Sequence, residues 1–184
     1  LLQQFQDVIS NYEASSLIES DRREWLKQIQ QVKKVEDGLK EKFQDIADSY
    51  GYTHLETASV EYMETLASKG DIDKEIFTIQ RARSEDDSAE GERGLHFDLT
   101  VPFARYVAQH QNDLHFPFRR YQIQKVWRGE RPQKGRFREF YQADIDVVAR
   151  ENLPSDFDSE VALVMAKILS SFKVCKLTMR INNR

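Results

Sequence analysis

Apolar residues recur three and four positions apart between about residue 16 and residue 50, at Leu17, Trp25, Leu26, Ile29, Val32, Val35, Leu39, Phe43 and Ile46. That spacing lays one apolar stripe along a helix, and Gly51 stands where a glycine would stop it. A short strand is predicted over residues 53–57, a helix over 59–68 and a strand over 75–80. Residues 82–94 (ARSEDDSAEGERG) are charged and almost free of apolar side chains, which reads as a solvated loop.

After that loop the period changes to two. Strands are predicted over 95–100, 118–130 and 139–149, and Pro102 sits in the first turn of a helix reaching about residue 111. Residues 131–138 form a basic turn between the two longer strands. A helix over 156–172 and a last strand over 174–181 complete the chain, with no internal repeat. The fold class expected is α+β, a mixed and mainly antiparallel sheet flanked by helices.

Alternation sorts the strand residues into faces. Tyr141, Ala143, Ile145 and Val147 oppose Phe140, Gln142, Asp144 and Asp146. Tyr121, Ile123 and Trp127 oppose Gln122, Gln124, Arg128 and Glu130, while Leu95, Phe97 and Leu99 oppose His96, Asp98 and Thr100. If the three strands are neighbours, one face is core and the other gathers carboxylates, amides, an arginine and a phenylalanine. A wetted face of an antiparallel sheet needs no function of its own.

The charge distribution changes that balance. The chain carries a net charge of -4, yet residues 119–138 hold eight basic residues (Arg119, Arg120, Lys125, Arg128, Arg131, Lys134, Arg136 and Arg138) and one acid, Glu130. An arginine-rich, glycine-containing turn beside a polar sheet face suits a polyphosphate, whose geometry favours the guanidinium fork. The single cysteine, Cys175, excludes a disulfide framework and a thiolate metal site and reads as core filler. The four histidines are scattered and read as surface or packing residues. No apolar run is long enough to span a membrane and the first residues lack a secretory pattern, so a cytoplasmic location is expected.

The segment WRGERPQKGRFREFYQADIDVV, residues 127–148, resembles the second signature of class II aminoacyl-tRNA synthetases in its histidyl-tRNA synthetase version. HFDLTVPFARY, residues 96–106, resembles that family's amino-acid-binding strand and helix, and MRINNR, residues 179–184, a later strand. YGYTHLETASVEY, residues 50–62, is similar to the first signature, which builds the family's dimer interface, but has Ala58 where that signature has proline. On this reading residues 1–31 form an N-terminal helical extension and 32–184 part of the class II catalytic core.

The resemblance implies ATP-dependent activation of histidine and its transfer to tRNA(His), with Mg2+ entering as the counter-ion of ATP. It implies that Arg128 contacts the α-phosphate as the catalytic residue, that Glu130 touches the adenine side, that Phe140 stacks on the adenine and that Arg136 reaches the outer phosphates. For histidine it implies Asp98 at the ammonium, Thr100 and Gln142 in support, and Asp146 at the imidazole. No protein-built metal site is implied. Without the resemblance, Arg128 and Glu130 read as an exposed ion pair contributing under about 1 kcal/mol, and Phe140 reads as core.

The family's third signature and its second histidine-binding segment are not among the 184 residues. The chain is therefore expected to be a fragment, inactive or weakly active alone, of a protein that is a homodimer when complete. The rival readings are the non-catalytic, synthetase-like regulatory subunit of ATP phosphoribosyltransferase and a synthetase-like domain that binds uncharged tRNA. The ATP-site residues favour the enzyme.

Overall fold

A computed structural model describes residues 19–69, 75–80, 92–131, 133–173 and 176–182. Leu17, Cys175 and most of the expected 82–94 loop lie outside them. The predicted long helix is α1, Glu19–Ser49, which runs unbroken through position 31. Its end follows from the backbone rather than from side chains. Gly51 adopts φ +75°, and its N–H bonds the Asp48 carbonyl while the Tyr52 N–H bonds that of Ala47. This double closure needs a left-handed residue after the cap, which glycine adopts without a Cβ clash.

Past the turn, β1 (Thr53–His54) lies parallel to β5 (Phe118–Trp127), and β5 pairs antiparallel with β6 (Glu139–Val148). In this hairpin Tyr121 faces Ile145 and Ile123 faces Ala143, whereas Gln122 faces Asp144 and Gln124 faces Gln142. The two faces predicted from alternation are thus each assembled from both strands. The apolar face meets α1 and α4 (Asp156–Ser171), where Phe43, Ala47, Tyr52, Tyr121, Val164 and Ile168 form a buried cluster. Among the described residues, no helix is long and apolar enough to cross a membrane.

The expected helix over 59–68 is instead a strand, β2 (Val60–Tyr62), followed by the single turn α2 (Met63–Leu66) and a 3-10 turn, Ala67–Lys69. β2 pairs antiparallel with β4 (Arg93–Leu95), which also pairs with β3 (Thr78–Ile79). A three-residue strand is set by its partner about thirty residues away, which local spacing does not carry. The strand expected over 95–100 likewise ends at Leu95. His96, Phe97, Asp98 and Leu99 are all buried in a turn rather than alternating, and Thr100 opens α3 (Thr100–His110). β4 therefore belongs to a second sheet, tied to the first where the Trp127 N–H bonds the His96 carbonyl. Residues 176–182 are exposed and form no strand among the described residues. Alternation alone does not make a strand when no ladder lies beside it.

Gly94 sits in the middle of the small sheet. A Cβ there would stand 2.8 Å from Ile76 Cγ2 and 2.8 Å from Met63 Sδ, and 3.1 Å from the Phe77 carbonyl oxygen. Gly94→Ala is expected to destabilise the fold by about 1–3 kcal/mol through overpacking. A lowered midpoint in urea denaturation checks it, and an unchanged midpoint would show that Ile76 and Met63 can yield.

Candidate active site

The second face of the β5–β6 hairpin is polar in composition, as the alternation predicts, but it is covered rather than fully wetted, with Gln124, Phe140, Gln142, Asp144 and Asp146 half-buried. Arg120 and Gln122 are fully buried. Arg120 meets Leu99 and Phe103 at the head of α3, while Gln122 and Gln124 meet the segment before β2. Arg120 Nη1 donates to Gln122 Oε1 at 2.8 Å, and Gln122 Nε2 donates to Thr57 Oγ1 at 3.1 Å and Gln124 Oε1 at 2.6 Å. Gln124 Nε2 donates in turn to the Thr57 carbonyl at 3.0 Å and to Ser59 Oγ at 3.1 Å. Each amide bonds another polar group, which is the condition for burying one at little loss.

At the open end of the hairpin the chain leaves the ladder with one more bond, Arg128 N–H to the Arg138 carbonyl at 2.8 Å. Arg128, Glu130, Arg131, Gly135, Arg136, Phe137 and Phe140 line a cavity of about 220 Å³ there. That is below the roughly 300–1,000 Å³ of sites that enclose a drug-sized ligand, and three of the lining residues are arginines. The Arg128 guanidinium lies 5.1 Å from the centre of the Phe140 ring. Glu130 Oε2 pairs with Arg136 Nη1 at 2.8 Å, and Gly135, at φ +82°, makes the tight turn that returns the chain from Gln133 to Arg136. Arg136 is 67% exposed, so its ion pair is weak and the side chain can be redirected toward an anion.

Arg128 also reaches away from the cavity. Its Nε donates to the Phe97 carbonyl at 3.1 Å and its Nη2 to Gln142 Oε1 at 3.2 Å. Gln142 Nε2 donates to both oxygens of Asp144, at 3.1 and 3.0 Å. Asp98, one residue beyond Phe97, is 5% exposed, and its Oδ1 accepts the Val101 N–H in the first turn of α3 at 3.2 Å. A carboxylate at a helix N-terminus is stabilised there. Thr100 is exposed at the first position of α3.

At the far end of the row stands Asp146. Its Oδ2 lies 2.8 Å from Arg120 Nη2, and the Asp146 side chain remains 32% exposed. Burial raises the Asp146 carboxyl above its ordinary range; the Arg120 charge opposes this and Asp144 adds to it. Burial also lowers the Arg120 guanidinium, against the pull of Asp146 and Asp144. Desolvation thus outweighs the attraction for both partners.

The structure brings Arg128, Glu130, Arg136 and Phe140 into one cavity and links Arg128 directly to Gln142. It places Asp146 on the same hairpin face, six residues from Phe140. Arg120, Gln122, Gln124 and Asp144 complete the layer, and Arg120 has no assignment from the sequence although it shares its strand parity with Gln122. His96 is a packing residue: it is fully buried, its ring Nε2 lies 2.7 Å from the Lys125 carbonyl oxygen, and its ring lies 5.6 Å from that of Trp127.

Residues 28–184 match the family model described as histidyl-tRNA synthetase. A histidine–tRNA ligase of Thermobifida fusca (strain YX) is 55% identical over 138 residues, covering 74% of this chain and 32% of that protein. A crystal structure of histidyl-tRNA synthetase from Nostoc sp. PCC 7120 superposes with a TM-score of 0.65 at 40% identity, over 76% of this chain and 31% of that one. A Bacillus halodurans C structure described as an ATP phosphoribosyltransferase regulatory subunit/histidyl-tRNA synthetase also has a TM-score of 0.65, at 23% identity, over 83% of this chain and 36% of that one; at that identity the likeness concerns the fold alone. The chain spans about a third of the length of the curated relatives it matches.

Proposed function

Because the chain belongs to the histidyl-tRNA synthetase family, we propose that it supplies the front part of the catalytic core, residues 32–184, of a histidine–tRNA ligase. In this reaction a histidine carboxylate oxygen attacks the α-phosphorus of ATP, the bond to the leaving pyrophosphate breaks, and the adenylate then acylates a hydroxyl of tRNA(His) with release of AMP. No side chain forms a covalent bond. Catalysis rests on holding the two substrates in line and on neutralising charge at the phosphoryl oxygens.

The observation that carries this reading is the reach of Arg128. One guanidinium stands over Phe140 in the basic cavity and bonds both the Phe97 carbonyl, next to Asp98, and Gln142. A cation between the proposed nucleotide residues and the proposed amino-acid residues is where the α-phosphoryl charge develops. Phe140 and Glu130 would receive the adenine, Arg136 the outer phosphates, and Asp98, with Thr100 and Gln142, the ammonium end of histidine. Asp146 would accept the imidazole N–H, a contact that apolar amino acids do not offer.

Among the described residues, no group of three His, Cys, Asp or Glu could hold a metal ion. The Mg2+ of the ATP complex would arrive on the phosphates and water. A homodimer in the cytoplasm is part of the same proposal.

The test is ATP–pyrophosphate exchange by the complete protein, with histidine and with each other amino acid. Exchange that needs histidine supports the ligase, and none from a folded protein favours the regulatory-subunit reading. In the ligase, Asp146→Asn is expected to raise the KM for histidine by roughly tenfold or more while the KM for ATP changes less than about threefold. Equal changes in both would remove Asp146 from imidazole recognition.

A further inference from the structure

We propose that Arg120, a residue with no role assigned by the family resemblance, is a positioning residue for histidine recognition, holding the Asp146 carboxylate so that one oxygen is presented to the substrate imidazole. The proposal rests on the preceding reading of Asp146. β5 and β6 set the two residues directly opposite each other, so the pair follows from the register of the hairpin. Arg120 is fully buried and approaches Asp146 Oδ2 at 2.8 Å. That oxygen is itself buried and meets Arg120 as an ion pair, without the geometry of a hydrogen bond, so the exposed third of the Asp146 side chain lies on its other atoms, with Oδ1 the oxygen left for a ligand.

The guanidinium is fixed from three other directions. Nη1 donates to Gln122 Oε1, Nη2 reaches the Leu99 carbonyl at 3.4 Å, and the Phe103 ring lies 4.1 Å beneath its carbon. A held guanidinium fixes the position of the positive charge beside the carboxylate, which a mobile lysine would not.

Stability does not account for this arrangement. Desolvation disfavours the charge on both members, and Arg120 Nε has no hydrogen-bond partner among the described residues. Buried ion pairs of this kind are often replaced by apolar pairs of similar volume without loss of stability. The pair stands at the end of the row that runs from Phe140 through Gln142 and Asp144. The charged groups acting on Asp146 are Arg120 on β5 and Asp144 on its own strand. From α3 and the turn before it come the Leu99 carbonyl and the Phe103 ring, neither of which titrates.

The experiment measures histidine-dependent exchange by the complete protein and its Arg120→Met, Arg120→Lys and Asp146→Asn variants, with Arg120→Met also made in the Asp146→Asn background. Arg120→Met is expected to raise the KM for histidine by about tenfold, within the coupling range of two residues in contact, with the KM for ATP within about twofold and Arg120→Lys intermediate. Without Arg120, burial and Asp144 act unopposed, so Asp146 takes up its proton at a higher pH. The rise in histidine KM toward acid should therefore begin at higher pH than in the parent, the titration of free histidine being common to both. In the Asp146→Asn background Arg120→Met should add less than about twofold, because a residue acting through Asp146 has nothing left to position.

Parallel rises in both KM values, an unmoved acid limb, or additive effects in the double variant would each overturn the proposal and leave Arg120 a packing residue. If Arg120→Met does not fold, Arg120→Lys alone and with Asp146→Asn decides the same question. Absence of histidine-dependent exchange in the parent would remove the ligase reading and the proposal with it, an outcome distinct from all of these.

Discussion

Arg128→Ala in the complete protein is expected to lower the kcat of histidine-dependent exchange by about 10²–10³-fold, the loss typical when one charge-stabilising donor is removed from a reaction centre. The side chain is preorganised for that role: Nε and Nη2 are tied to the Phe97 carbonyl and to Gln142, and the plane stands over Phe140. Little reorganisation then remains for the moment when charge builds on the α-phosphate. Arg128→Lys should recover only part of the loss, since one ammonium cannot hold both acceptors and meet the phosphate with the same geometry. Rates at saturating ATP and histidine decide it. A fall of less than about threefold for Arg128→Ala would place the reacting phosphate elsewhere.

The second large effect concerns folding. Leu66→Ala is expected to destabilise the protein by about 2–5 kcal/mol, the range for truncating a fully buried leucine that leaves a cavity. Leu66 has no exposed surface and packs with Ile76, Phe97 and the partly buried Met63. Chemical denaturation should show a lower midpoint at unchanged slope. Phe97 belongs to this cluster, and its carbonyl anchors Arg128, so exchange should also weaken, though by less than in Arg128→Ala. A shift under about 1 kcal/mol would mean that neighbouring side chains close the space.

The elements whose information is local were legible in the chain. α1, its glycine stop, the long hairpin strands and α4 were readable because apolar spacing over ten or more residues outweighs most alternatives. The short elements were not. Val60–Tyr62 is a strand because Arg93–Leu95 lies beside it, and residues 96–99 leave the strand pattern because the chain turns into α3. The candidate site divides in the same way. Arg128, Glu130, Arg136 and Phe140 lie within thirteen consecutive residues of one recognisable segment, whereas Arg120 and Asp146 meet across the hairpin.

The sequence by itself determined the family, the hairpin with its polar and apolar rows, and the basic turn, since alternation and a long contiguous signature are properties of residues close in the chain. Only the tertiary structure decided that Arg120 and Gln122 of the polar row are buried, that Arg120 stands against Asp146, that β1 runs parallel to β5 and that residues 176–182 form no strand. Those outcomes depend on which distant segments supply the covering surface, the ladder partner and the countercharge, and local periodicity carries no information about them.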